Sequence, residues 1–118
     1  MDTELWLKDD ETLDDLGPGL KILQGKTGYR FSLDPVLLCS FARIRPQDRV
    51  LDLGTGAGII PLLLAGRHAS IRVVGVERQE ELADRARRSA QLNRLDERIE
   101  IVCGDCLLYT SDAADEED

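Results

Sequence analysis

The stretch Val50-Leu-Asp-Leu-Gly-Thr-Gly-Ala-Gly-Ile-Ile-Pro61 decides the fold of this 118-residue chain. Its apolar start, residues 50–53, predicts a short buried strand, and residues 59–65 predict a helix. Between them, three glycines at alternate positions predict a tight turn, where missing side chains let the chain reverse and leave backbone amides at the helix start facing a ligand. The stretch therefore predicts a ligand-binding turn in an α/β fold.

The residues that follow repeat the alternation of strand and helix. Residues 71–76 predict a second strand, residues 80–93 an amphipathic helix and residues 99–102 a third strand. One face of this helix carries Leu82, Ala86, Ala90 and Asn93, and the other carries the pairs Glu81–Arg85 and Asp84–Arg88. Strand, helix, strand, helix, strand is the order of a parallel sheet with right-handed crossovers.

The residues before the glycine turn predict a short strand and a helix. Residues 20–24 alternate apolar and polar side chains like a strand. Asp34 is predicted as the N-cap of a helix and Pro35 as its first residue, before an apolar run at 36–42. We divide the chain into an acidic N-terminal segment (1–19), a folded body (20–105) and a tail (106–118).

The net charge of −8 conceals an uneven distribution along the chain. Residues 1–16 contain seven acids and one base, and residues 106–118 contain five acids and no base. Residues 17–105 contain 14 bases and 11 acids. This mildly basic body is compatible with a polyanionic partner but does not require one, because nucleic-acid modules usually show a stronger basic bias.

Several protein classes are disfavoured by composition. The longest uncharged apolar stretch, residues 59–66, is far shorter than the roughly 20 residues of a membrane span. The acidic start lacks the basic region of a secretory signal, so we expect a cytoplasmic protein with no membrane partner. The chain has three cysteines and one histidine, namely Cys39, Cys103, Cys106 and His68. Four zinc ligands are hard to assemble from this set, so we expect thiols in a reducing compartment and no metal site.

The glycine turn and two acids narrow the choice of ligand. Glu77 lies 19 residues beyond Gly58, at the tip of the second predicted strand, where an acid can accept hydrogen bonds from both hydroxyls of a ribose. A dinucleotide such as NAD and S-adenosylmethionine both contain that ribose. The glycine spacing differs from the G-x-G-x-x-G of dinucleotide sites. Asp52 would also repel a pyrophosphate, whereas it can help to hold the cationic groups of S-adenosylmethionine. The alternative is a turn that serves only chain reversal.

The glycine stretch resembles motif I of the class I, Rossmann-like S-adenosylmethionine-dependent methyltransferases. Over residues 10–105 the chain resembles more narrowly the bacterial tRNA (adenine-N(6))-methyltransferases, which act beside the anticodon of a valine tRNA, and related small methyltransferase domains. The narrower resemblance rests on Gly-Tyr-Arg-Phe-Ser-Leu-Asp-Pro-Val-Leu-Leu at residues 28–38 and on Ala-x-x-Ser-Ala-x-x-Asn at residues 86–93. It implies the N-terminal part of that α/β fold: about three parallel strands with flanking helices, plus an N-terminal strand and helix.

The resemblance also implies site residues. Around the methionine part of the cofactor it places Asp52, Gly54, Gly56 and Gly58. It assigns Glu77 to the ribose and Asp105 to the adenine amine. The segment that closes over the cofactor would contain Tyr29, Phe31, Ser32 and Asp34. In the family an Asn-Pro-Pro-Tyr loop holds the acceptor amine, but the chain contains no Asn-Pro-Pro or Asp-Pro-Pro, so we assign no catalytic residue.

The end of the chain has a resemblance of its own. Residues 106–116, Cys-Leu-Leu-Tyr-Thr-Ser-Asp-Ala-Ala-Asp-Glu, resemble the translation of a transposase sequencing adapter. We therefore expect residues 106–118 to be non-native and the chain to be an inactive fragment of a longer parent that methylates an adenine amine in tRNA. A release-factor glutamine methyltransferase is one alternative parent. An alternative interpretation is that the chain is a non-catalytic S-adenosylmethionine-binding module.

Overall fold

The computed structural model describes residues 7–27 and 33–105. The elements in chain order are β1 (Glu11–Gly17), β2 (Leu20–Gly25), α1 (Leu33–Phe41), β3 (Arg49–Leu53), α2 (Ile59–Arg67), β4 (Arg72–Glu77), α3 (Glu80–Leu92) and β5 (Ile99–Cys103). The predicted alternation of strand and helix from β3 onward is confirmed, with ends within two residues of the predicted ones. None of the helices in the described residues is long and apolar enough to cross a membrane.

Strands β3, β4 and β5 form one parallel sheet in that order. The register pairs Asp52 with Gly75 and Glu77 with Cys103. Because the strands are parallel, their carboxyl ends lie at one edge of the sheet, which brings the turn after β3 beside the end of β4. The predicted Rossmann-like α/β arrangement is confirmed.

The first two strands form a separate antiparallel hairpin in which Glu11 pairs with Gly25 and Asp14 with Ile22. The sequence pattern predicts β2 but not β1, which lies in the acidic segment. Acidic residues are uncommon in strands and β1 does not alternate cleanly, so its local sequence carries little strand signal. The strand is stabilised instead by its pairing with β2 and by the ion pairs that it forms with α3.

The hydrophobic core lies where α2, α3 and β2 pack against the parallel sheet. Its most deeply buried large side chains are Ile22, Leu62, Leu63, Ile71 and Val73. Ala83, Ala86 and Ala90 are buried along α3. Ala86 and Ala90 were predicted on the apolar face, whereas Leu82 and Asn93 of that face are half-buried. Small side chains on that face allow the helix to approach the sheet and the hairpin closely.

Helix α1 begins two residues earlier than predicted. It starts at Leu33, so Asp34 lies inside the first turn, and its predicted role as the N-cap is wrong. Pro35 follows in the same turn, where the missing amide proton costs no helical hydrogen bond. An acid in the first turn still interacts favourably with the helix dipole, which accounts for Asp34 at this position.

Candidate cofactor-binding site

The glycine loop between β3 and α2 is fixed to the neighbouring strand. The amides of Gly54 and Thr55 both donate to the carbonyl oxygen of Val76, over 2.8 and 3.0 Å. Thr55 is buried against β4, where a Cβ added at Gly75 would lie 2.8 Å from the Thr55 hydroxyl oxygen. Glycine in the middle of β4 therefore makes room for the loop of β3.

The last glycine of the loop has a packing role. Gly58 is the N-cap of α2 and adopts a φ of 91°, a conformation that side chains other than glycine rarely tolerate. A Cβ at this position would also lie 3.0 Å from the Cβ of Ala86 on α3. Gly58 thus lets α2 start close to α3, and both helices begin beside the end of β4.

Glu77, the last residue of β4, organises the backbone around the loop. One carboxylate oxygen accepts a hydrogen bond from the Gly56 amide and the other from the Gln79 amide, each over 2.9 Å. The side chain is buried. A carboxylate oxygen can accept two hydrogen bonds, so Glu77 retains acceptor capacity for a ligand.

Asp52 presents a second carboxylate at the end of the neighbouring strand. It is half-buried and accepts a 2.7 Å hydrogen bond from the Thr55 hydroxyl. Burial raises the pKa of the Asp52 carboxyl above its ordinary value, although the Thr55 hydrogen bond acts in the opposite direction. No ion pair within residues 7–27 and 33–105 includes Asp52. The chemistry of this position therefore suits a cation.

These groups surround a cavity of about 350 Å³. Four of the predicted site residues line it, namely Asp52, Gly54, Gly56 and Glu77. Three others do not: Gly58 packs against α3, Asp34 is exposed beside the lining residue Pro35, and Asp105 is exposed beyond β5. Ser32, Tyr29 and Phe31 lie outside the described residues.

The cavity also has walls that the sequence pattern did not predict. Ile22 and Gln24 of the hairpin line it, as do Gln79 and Leu82 near the start of α3. Gln24 is buried although it is polar, and its side-chain amide donates to Asp14 over 2.8 Å. A glutamine in an apolar strand is a weak signal, and nothing in the sequence relates residues 22–24 to a turn thirty residues later.

The chemistry of the lining favours an organic ligand. Within the two described stretches, no group of three or more His, Cys, Asp or Glu side chains is placed to hold a metal ion. The cavity instead combines two carboxylates, backbone amides of a glycine loop and apolar side chains such as Ile22 and Leu82. Small-molecule sites typically show this mixture, with a few placed polar groups in a mainly apolar wall.

Comparison with known proteins identifies the family. The family model for protein-L-isoaspartate(D-aspartate) O-methyltransferase (PCMT) matches residues 21–114. The chain belongs to this methyltransferase family. The predicted resemblance to methyltransferases is thereby confirmed, and the matched residues contain the glycine loop, Asp52 and Glu77.

Individual relatives and solved structures are also methyltransferases. The tRNA1(Val) (adenine(37)-N6)-methyltransferase of Bacteroides thetaiotaomicron is 34% identical over 87 residues, which are 73% of this chain and 37% of the relative. A methyltransferase of Geobacter sulfurreducens, solved with S-adenosyl-L-homocysteine, superposes with a TM-score of 0.55 at 28% identity, covering 60% of this chain and 28% of that one. A methyltransferase of Agrobacterium tumefaciens superposes with a TM-score of 0.68 at 19% identity, covering 87% of this chain and 35% of that one, and it shares the fold. The chain spans little more than a third of the length of this curated relative.

Proposed function

We propose that this chain binds S-adenosylmethionine in the cavity at the carboxyl ends of β3 and β4, as the donor-binding part of a methyltransferase that acts on tRNA. The observation that carries the proposal is the placement of Asp52 and Glu77 at adjacent strand ends, with the glycine loop between them, around one cavity. Its volume of about 350 Å³ lies within the range of roughly 300–1,000 Å³ that is typical of small-molecule sites.

The residues fit the chemistry of this cofactor. Asp52 has no cationic partner among the described side chains and offers a negative charge to the cofactor's positively charged groups. Glu77 offers free lone pairs to the ribose hydroxyls while it holds the loop in place. The cofactor supplies a methyl group on a positively charged sulfur, and this part of the chain binds and orients it.

The methyl acceptor is proposed from the relatives. The curated relatives are named as enzymes that methylate an adenine of tRNA, whereas the family model is named for enzymes that methylate isoaspartate. The two names differ in the acceptor and agree on methyl transfer. We favour tRNA because the tRNA enzymes match 73% of the chain at 34% identity, and a tRNA substrate agrees with the expected cytoplasmic location. A protein amide, as in release-factor glutamine methyltransferases, is the second candidate.

Calorimetry tests donor binding directly. The 118-residue chain is titrated with S-adenosylmethionine, with S-adenosylhomocysteine and, as the matched control, with NAD, which shares the ribose but carries a pyrophosphate. We expect binding of the first two and none of NAD, because Asp52 repels the pyrophosphate. Binding of NAD alone would overturn the proposal.

Methyl transfer is tested separately. The sequence contains no Asn-Pro-Pro or Asp-Pro-Pro to hold an acceptor amine, and such an amine must be positioned about 3–3.5 Å from the methyl group. We therefore expect no transfer of tritiated methyl to unmodified tRNA by this chain, beside a full-length relative that shows it. Sequencing the source locus beyond the codon of Asp105 tests whether residues 106–118 are native. An Asn-Pro-Pro-Tyr downstream supports the methyltransferase parent, and a natural stop supports a binding module.

A further inference from the structure

We infer that the hairpin β1–β2 is a positioning wall of the cofactor cavity, held against α3 by two separate sets of side-chain contacts. The inference rests on the proposed function, since it assigns cofactor affinity to residues that lie outside the cavity. It also accounts for the Ser and Asn of the Ala-x-x-Ser-Ala-x-x-Asn pattern, neither of which lines the cavity.

The first set, here called the edge contacts, closes the free edge of β2. One edge of β2 pairs with β1. On the other, the amide of Lys21 donates to the Asn93 side chain over 2.8 Å, and the Asn93 amide group donates back to the Lys21 carbonyl oxygen over 2.6 Å. The amide of Leu23 donates to the Ser89 hydroxyl over 2.9 Å. Ser89 and Asn93 lie one helical turn apart, so α3 satisfies two successive positions of a strand edge.

The second set, here called the ionic contacts, fastens β1 to the same helix. Glu11 is 4% exposed and accepts hydrogen bonds from both Arg85, over 3.0 Å, and Arg88. Opposite Glu11 in the hairpin, a Cβ at Gly25 would lie 3.0 Å from a guanidinium nitrogen of Arg85. Glycine there lets β2 end directly on the buried arginine.

The residues that make these contacts are close in the chain to residues that line the cavity. Ile22 and Gln24, on either side of Leu23, line the cavity. Helix α3 begins at Glu80, directly after Gln79, whose amide donates to Glu77. A molecule whose hairpin leaves α3 therefore loses one wall of the cavity, while Asp52, Glu77 and the glycine loop stay in place on the parallel sheet.

The apparent affinity for the cofactor depends on the fraction of molecules whose hairpin is docked on α3. If the cofactor binds only the docked form, the apparent dissociation constant rises in inverse proportion to the docked fraction. A variant docked in about one molecule in ten should bind about tenfold more weakly. The loss should be the same whichever set of contacts is broken, provided that the docked fraction is the same.

The experiment uses the 118-residue chain and two readouts. Asn93→Leu removes the two edge contacts to Lys21 and leaves the one from Leu23 to Ser89. Asn93→Asp keeps the acceptor for the Lys21 amide, and Glu11→Gln weakens the ionic contacts. Hydrogen exchange of the Leu23 amide reports docking in every variant, because its partner Ser89 is unchanged. The Lys21 amide reports docking only in Glu11→Gln, where Asn93 is intact, and the Val74 amide on β4 is the internal reference. Calorimetry with S-adenosylhomocysteine reports affinity. Gln91→Ala, on the exposed face of α3, controls for substitution in the helix, and Ile101→Ala, in β5, controls for loss of stability alone.

We expect faster exchange at Leu23 together with weaker binding in Asn93→Leu and Glu11→Gln, a smaller change in Asn93→Asp, and unchanged affinity in both controls. Faster exchange with unchanged affinity would overturn the inference, as would an equal loss of affinity in Ile101→Ala. If Glu11→Gln does not fold, the two Asn93 variants decide. Absence of binding by the unsubstituted chain would instead reject the proposed function, and the inference with it.

Discussion

The carboxylate of Glu77 accepts a 2.9 Å hydrogen bond from the backbone amide of Gly56, so the end of β4 holds the loop that follows β3. The two residues lie 21 positions apart in the chain. The second carboxylate oxygen accepts from Gln79, just before α3. One buried acid thus fixes the glycine loop relative to the start of α3.

Replacement of Glu77 by glutamine should weaken cofactor binding. The amides of Gly56 and Gln79 face different carboxylate oxygens, so a carboxamide, which has only one oxygen, places its amino group opposite one of the two donors. We expect Glu77→Gln to weaken S-adenosylmethionine binding by about 1–3 kcal/mol, measured by calorimetry. Glu100→Gln, an exposed acid on β5, is the matched control. Unchanged affinity in Glu77→Gln would remove this residue from the site.

Replacement of Asp52 should raise stability and lower affinity. Burial raises the pKa of Asp52 above its ordinary value of 3.8, so the folded state favours the protonated form. Relative to the ionised form, the protonated Asp52 carboxyl stabilises the folded state. This stabilisation is complete below the pKa of Asp52 in the unfolded chain, and it is lost as pH rises through its pKa in the folded chain. At neutral pH, Asp52→Asn should therefore melt at a higher temperature than the unsubstituted chain, with no advantage at low pH. Calorimetry with S-adenosylmethionine should show weaker binding by about 1–3 kcal/mol. A lower melting temperature at neutral pH would contradict this account.

The site residues that could be predicted from the sequence lie at the carboxyl ends of the parallel strands and in the loop that follows β3. A strand, a glycine turn and an acid on the next strand form a local pattern, and parallel pairing brings the strand ends to one edge. Asp52, Gly54, Gly56 and Glu77 line one cavity for that reason. The i,i+4 pairs Glu81–Arg85 and Asp84–Arg88 were likewise predictable, because helical spacing alone brings such residues together.

The hairpin could not be predicted in the same way. Glu11 and Arg85 are 74 residues apart, and no periodicity relates them. Arg85 was predicted on the face of α3 opposite the apolar one, yet it is buried and donates to Glu11 of β1. Gly58 lies outside the cavity because its position is set by contact with Ala86, which only the packing of α2 on α3 determines.

The close approach of Thr55 to β4 predicts that Gly75 cannot be enlarged. A Cβ at Gly75 would lie within 2.9 Å of three atoms of Thr55, whose buried side chain has little room to move. We expect Gly75→Ala to lower the free energy of unfolding by about 1–3 kcal/mol in urea titrations. Gly66→Ala is the control, since its Cβ meets only the flexible end of Leu20 at 3.2 Å and alanine favours a helix. An equal effect of the two substitutions would contradict this packing.

The ionic contacts predict a particular loss of stability in acid. Hydrogen bonds from Arg88 hold the pKa of Glu11 at about 2, below its ordinary 4.5, although burial opposes the shift. The stabilisation of the folded state by the ionised carboxylate is present above pH 4.5 and is lost as pH falls towards 2. In urea titrations the difference between the unsubstituted chain and Glu11→Gln should therefore be largest near pH 6 and shrink below pH 4. A difference that is independent of pH would show that Glu11 acts through packing alone.

The outer edge of β3 predicts self-association. None of the strands that the structure describes pairs with this edge, and Leu51 and Leu53 on it are 43% and 45% exposed. Phe41, at the end of α1, is 81% exposed. An unpaired strand edge with apolar side chains is a template for another chain, and a lysine on such a strand opposes pairing. Sedimentation should show concentration-dependent association that Leu51→Lys reduces and Leu7→Lys, at a remote exposed leucine, does not. A monomer at every concentration, with one sharp cooperative melt, would show that this edge does not drive association.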